Sequence, residues 1–109
     1  MQITMKDRVA VVTGGSKGIG VAVARRFAES GARVAILARG SADLKTAREA
    51  LAQDGLQVHD YVCDVSKAPE ISATYDRIVN DLGRIDILVN NAGTSRTMPL
   101  EAVTDEIWK

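Results

Sequence analysis

The stretch of this 109-residue chain best equipped for chemistry is Thr13-Gly14-Gly15-Ser16-Lys17-Gly18-Ile19-Gly20, set between a continuously apolar run and an amphipathic one. Its glycines allow a tight turn and a close backbone approach to a ligand. A helix starting just beyond offers unpaired N–H groups and the positive end of its dipole, a combination suited to a diphosphate. A glycine-rich turn that merely connects strand to helix has the same composition. Context favours the ligand reading, because such a motif needs a strand before it and a helix after it inside a βαβ unit, and both are present. Arg39, Asp64 and Asn90-Asn91-Ala92-Gly93 are the other polar groups standing just past apolar runs.

The rest of the composition mostly excludes. One His and one Cys cannot build a structural zinc site, and Cys63 has no partner for an internal disulfide, so no metal is expected and a reducing, cytoplasmic compartment is. His59 and Cys63 read as structural. Lys+Arg and Asp+Glu both number 14, so no global field draws the chain to nucleic acid or an anionic membrane. The N-terminal residues lack a signal-like apolar core, and no stretch approaches the roughly 18 apolar residues of a membrane span.

The elements that must position these groups follow from periodicity. Val9-Ala10-Val11-Val12 is apolar and partly β-branched, as a strand buried on both faces should be. From Gly18, the row Ile19, Val23, Phe27 and the small row Gly20, Ala24, Ala28 predict an amphipathic helix that Gly31 ends. The alternation continues with a strand over Arg33 to Ala38 and a helix over Ser41 to Gln53 that Gly55 closes. A weaker strand over Gln57 to Cys63 follows. A helix then starts near Ser66, with Ile71, Tyr75, Ile78, Val79 and Leu82 on its apolar side, and Gly83 ends it. Ile85 to Val89 reads as a fourth strand. Thr104 with Asp105 and Glu106 reads as the start of a fourth helix, in which Trp108 either anchors into the core or serves a subunit interface. Four strands alternating with helices imply right-handed crossovers and a single α/β domain over residues 1–109, with helices on both faces of a doubly wound parallel sheet.

The loop spacing, Gly14, three residues, Gly18, one residue, Gly20, resembles the TGxxxGxG loop of the classical short-chain dehydrogenase/reductase family, and Asn90 to Gly93 matches that family's NNAG. Asp64-Val65 matches its adenine-contacting position. The resemblance covers essentially the whole chain and implies a Rossmann-type sheet of order 3-2-1-4. By that resemblance, Gly14, Ser16, Lys17, Gly18, Ile19 and Gly20 wrap the diphosphate and adenosine ribose. Asp64 accepts from the adenine amino group, the Val65 backbone meets the ring, and Asn90, Ala92 and Gly93 line the path to the nicotinamide ribose. Asn91 is as well suited to tying the fourth strand to the glycine loop.

Cofactor choice can be read more physically. NAD-dependent enzymes usually carry an acid at the end of the second strand, where it bonds the ribose hydroxyls and repels a 2′-phosphate. This chain has Ala38 there, then Arg39, with Lys17 in the loop, so two cations can meet a 2′-phosphate and NADP is expected over NAD. Ordinary solvated charges would have the same composition.

The family's catalytic Tyr-x-x-x-Lys pair is missing, since Val65 and Val79 stand four residues after the two tyrosines, Tyr61 and Tyr75. Ser95 precedes the region of the family's serine. No catalytic residue is therefore assigned, and residues 1–109 alone are expected to be inactive. The function implied is an NADP-dependent oxidoreductase moving hydride between nicotinamide and a small-molecule carbonyl or secondary alcohol, with this chain its N-terminal part and a homo-oligomer expected. A carrier-protein-linked 3-oxoacyl reductase is one identity compatible with this. The alternative is a non-catalytic nucleotide-binding or interaction module ending at Lys109. As a folding unit ending there, the chain is expected to expose its fourth strand as a sheet edge and to associate.

Overall fold

Strand-forming apolar runs and helix-forming amphipathic runs alternate along the chain, and the computed structural model, which describes residues 5–14 and 16–91, follows that alternation element by element. The order is β1 (Val9–Thr13), α1 (Gly18–Glu29), β2 (Arg33–Ala38), α2 (Ser41–Gln53), β3 (Val58–Val62), α3 (Ala68–Leu82) and β4 (Ile87–Asn90). The four strands form one parallel sheet in the order β3-β2-β1-β4. In register, Thr13 stands beside Leu37 on one side and Asn90 on the other, so the ends of three strands come level at one rim.

The sheet sorts its side chains with the period of two that strands impose. Ala10, Val12, Val34, Ile36, Val58, Ile87 and Val89 face α1 and α2, where Ala24, Leu44, Ala47 and Leu51 close the layer. Val9, Val11, Ala35, Leu37, Tyr61 and Cys63 face the opposite way, against Ile78 and Leu82 of α3. All five residues of β1 are buried, as the continuous apolar run requires of a strand covered on both faces.

At the opposite rim, Asp86 fastens β4 to β1. Its Oδ2 accepts from the Val9 N–H at 2.8 Å, its own N–H donates to the Val9 carbonyl at 2.9 Å, and Arg84 Nη2 reaches Oδ1 at 2.7 Å. Burial raises the Asp86 pKa, but the Val9 N–H, the Arg84 bonds and the charges of Arg84 and Arg8 outweigh it, leaving the group below the usual carboxylate value.

Two helix faces differ from expectation. In α1 Gly20 and Ala24 are buried and Val23, Phe27 and Ala28 pack against the core, but Ile19 is 64% exposed. Ile19 stands in the first turn of the helix, where it borders the cavity described below. In α3, Thr74, Ile78 and Leu82 face the sheet and Val79 is left exposed. Two start points also shift. α3 begins at Ala68, because Ser66 is engaged in a turn by Asp64, and β4 begins at Ile87 after the Asp86 clamp. No helix among the described residues is long and apolar enough to cross a membrane. The segment expected to begin a helix at Thr104 lies outside the described residues.

Candidate functional site

In an open parallel sheet, ligands bind outside the carboxyl ends of the strands, where successive crossovers leave toward opposite faces. Here that switch lies between β1 and β4, and a cavity of about 950 Å³ opens there.

Thr13, the last residue of β1, organises the rim. Its buried hydroxyl accepts the Asn91 N–H at 2.8 Å and has Asn90 Oδ1 at 3.2 Å and the Val89 carbonyl at 3.3 Å as acceptors. The expected tie between β4 and the glycine loop is thus made, through the backbone of Asn91 and with Thr13 as its partner. Gly14 turns the chain out of the sheet with φ 66°, and its N–H donates to the Leu37 carbonyl at 2.8 Å.

Gly18 has φ 53°, in the left-handed region, and a Cβ placed there would meet nothing within 4 Å. The need for glycine at this position is therefore conformational within the protein itself. The N-cap of α1, Lys17, is extended and supplies no side-chain cap, and the first turn carries no acid. The Gly20 N–H turns back to the Lys17 carbonyl at 3.1 Å, and no first-turn carboxylate diminishes the positive dipole end.

Among the expected site residues, Gly14, Ser16, Lys17, Ile19, Arg39, Asp64, Val65 and Asn90 all border this one cavity. Gly18 and Gly20 do not line it; Gly20 is turned into the helix-sheet contact. Ala92 and Gly93 lie outside the described residues.

Asp64 is held in a turn, its Oδ1 accepting the Ser66 hydroxyl at 2.6 Å and the Ser66 N–H at 3.0 Å. Those bonds, with Lys67 and Arg39 nearby, hold its carboxyl below the ordinary aspartate value. Lys17 Nζ lies 3.4 Å from Asp43 Oδ2, both side chains largely in solvent.

The sequence reading did not single out several residues that the fold brings here. Ile71, Tyr75, Leu88, Leu37 and Cys63 make the apolar part of the cavity lining. Burial, with the Cys63 thiol close by, pushes the Tyr75 phenol up. Periodicity marks Ile71 and Tyr75 as core-facing but not as lying where a neighbouring strand ends. Thr13 carried a signal, its place at the head of the glycine loop, whereas Asp43 carried none beyond being an acid in a helix's first turn.

An apolar wall, a helix start without a side-chain cap and a rim with two cations fit a nucleotide bearing several phosphates. Strand order and site position define a Rossmann-type α/β protein. Within that class the chain belongs to the short chain dehydrogenase family, whose model matches residues 8–109.

A putative ketoacyl reductase of Streptomyces coelicolor is 39% identical over 105 residues, covering 96% of this chain and 40% of that protein. The structure of actinorhodin polyketide ketoreductase with NADPH superposes with a TM-score of 0.79 at 38% identity, covering 97% of this chain and 41% of the other. L-sorbose reductase from Gluconobacter frateurii, complexed with NADPH and L-sorbose, gives a TM-score of 0.81 at 36% identity, covering 99% and 41%. The chain therefore spans about two fifths of the length of these relatives.

Proposed function

We propose that this chain is the cofactor-binding part of an NADP-dependent oxidoreductase that transfers hydride between nicotinamide and a carbonyl or secondary alcohol. The observation that carries the reading is the cavity rim itself. Lys17 and Arg39 both border it, and the end of β2, where a ribose-binding acid would stand, is Ala38. In this assignment the uncapped start of α1 holds the diphosphate, and Asp64 and Val65 meet the adenine. Asn90, Ala92 and Gly93 lead toward the nicotinamide, which when bound supplies or accepts the hydride. The accompanying proton needs a group like the family's Tyr-x-x-x-Lys pair, which these 109 residues do not contain, so it is assigned to a longer protein of which this is the N-terminal part.

The NADPH in two structural relatives supports the cofactor assignment, and the ketoacyl reductase relative supports a 3-oxoacyl thioester as the first substrate to try. A cytoplasmic homo-oligomer is the form proposed, and light scattering on the complete protein reads the oligomeric state directly.

The test is Arg39→Asp in the complete protein, with NADPH and NADH titrated against the wild type. A hydrogen bond to a charged group contributes about 1.5–3 kcal/mol, so the preference for NADPH should fall by roughly tenfold to a hundredfold. Unchanged selectivity would overturn the assignment of Arg39 and, with it, the cofactor reading.

A further inference from the structure

Arg39 and Lys17 do not meet a ligand on equal terms. Arg39 is exposed at the end of β2, with no ion pair described for it, whereas Lys17 is already engaged by Asp43 at 3.4 Å. Asp43 stands in the first turn of α2, where the helix dipole favours a carboxylate, and its Oδ2 lies close over Gly40, 3.4 Å from where a Cβ would be. Asp43 borders the same cavity as both cations. The other carboxylate on that wall, Asp64, has its Oδ1 tied to Ser66, so Asp43 is the acid whose described ion pair is with a cation expected to serve the ligand.

We propose that Asp43 is a specificity-determining residue that lowers this chain's discrimination for a 2′-phosphorylated adenine ribose, by holding the Lys17 ammonium in an ion pair that the phosphate must displace. The inference rests on the reading that Lys17 and Arg39 receive a 2′-phosphate. Two effects act in the same direction. A phosphate approaching Lys17 exchanges one anionic partner for another instead of gaining a free cation, and the displaced carboxylate remains beside it as a like charge. The displacement is feasible because the ion pair is solvent-exposed and such pairs are weak. The phosphate carries more charge than the carboxylate it replaces. Asp43 thus weakens the preference without abolishing it, and Arg39, near Asp64 but in no described ion pair, supplies the rest of it.

The experiment uses the complete protein and two probes that differ only in the group at issue: adenosine 2′,5′-bisphosphate and 5′-AMP. Their affinities are compared by calorimetry in wild type, Asp43→Asn and Asp43→Ser, each alone and combined with Lys17→Met. From the strength of exposed ion pairs, the ratio of bisphosphate to AMP affinity should rise about twofold to fivefold when Asp43 is neutralised. The rise should shrink in the Lys17→Met background, where only the like-charge part remains. It should also shrink between about 0.1 M and about 1 M salt, as the screening length falls from about 10 Å to about 3 Å.

A role of Asp43 confined to starting α2 would move both affinities together and leave their ratio alone. An unchanged or lower ratio in both variants overturns the proposal, as does an equal rise with Lys17 removed. Failure of the underlying reading looks different: the wild type itself would then bind the bisphosphate no more tightly than AMP.

Discussion

The hydroxyl of Thr13 is a single group on which the stability of the sheet rim and the shape of the cavity both depend, and Thr13→Val isolates it. Valine keeps the β-branched shape and suits the strand equally well, so the packing of a side chain that is only 3% exposed changes little. What is lost is polar. The Asn91 N–H, now 2.8 Å from the hydroxyl oxygen, loses its partner, and the acceptors on Asn90 and Val89 lose a donor. A neutral hydrogen bond contributes about 1 kcal/mol net, and a buried donor left unpaired costs about 1–3 kcal/mol. The expected destabilisation is therefore about 1–3 kcal/mol, read as a lower urea midpoint at unchanged slope.

Thr13→Ser is the control, keeping the hydroxyl and losing one methyl, worth about 0.8 kcal/mol of burial. Because Asn90 and Asn91 border the cavity, Thr13→Val should also weaken nucleotide binding by about twofold to tenfold, the equivalent of one neutral hydrogen bond, with Thr13→Ser near the wild type. Both readouts belong to the complete protein, urea unfolding by circular dichroism and nucleotide titration by fluorescence. A valine variant as stable as the serine one, or one binding nucleotide like the wild type, would refute the claim that this hydroxyl holds the rim.

Asp86→Ala removes the acceptor that ties β4 to β1, and with a charge-assisted bond worth about 1.5–3 kcal/mol the loss should appear in urea unfolding at neutral pH. The folded-state pKa of Asp86 lies below its unfolded value of about 3.9. Its contribution is thus complete above that value and is lost as the pH falls through the lowered one. The difference between wild type and Asp86→Ala should consequently narrow below about pH 4, and a difference independent of pH would sink the electrostatic account. Gly18→Ala meets no clash in the free protein, yet forces a side chain to φ 53°, so it should cost about 1–2 kcal/mol of stability. Equal stability of that variant in thermal unfolding would show that the loop relaxes.

The fold was legible in this sequence because its signals are local and agree with one another. β2 at Arg33–Ala38 and α2 at Ser41–Gln53 coincide with the apolar periodicity, and Gly31, Gly55 and Gly83 take positive φ just past the three helices they were expected to end. Where the reading failed, it failed at single positions on apolar faces, Ile19 in α1 and Val79 in α3. In α1 Gly20 and Ala24 are buried and Val23, Phe27 and Ala28 pack against the core beside them, so of the larger row Ile19 is the one left exposed. Ile19 borders the cavity instead.

The same limit applies to the site. Its glycine loop is contiguous in sequence and was read from spacing, whereas its apolar wall is assembled from α3 and the ends of β2, β3 and β4 by register alone. Thr13 and Asn91 stand 78 positions apart, and Lys17 meets Asp43 only because β1 and β2 end level, bringing the starts of α1 and α2 to one rim. Pairings of this kind carry no periodic signature, so a sequence can name the groups that would bind a nucleotide without showing which of them are already bound to one another. That second fact sets how strongly the ligand is held. At this rim the sequence counts two available cations, while the fold pairs Lys17 with Asp43 and sets Arg39 near Asp64 without a described ion pair.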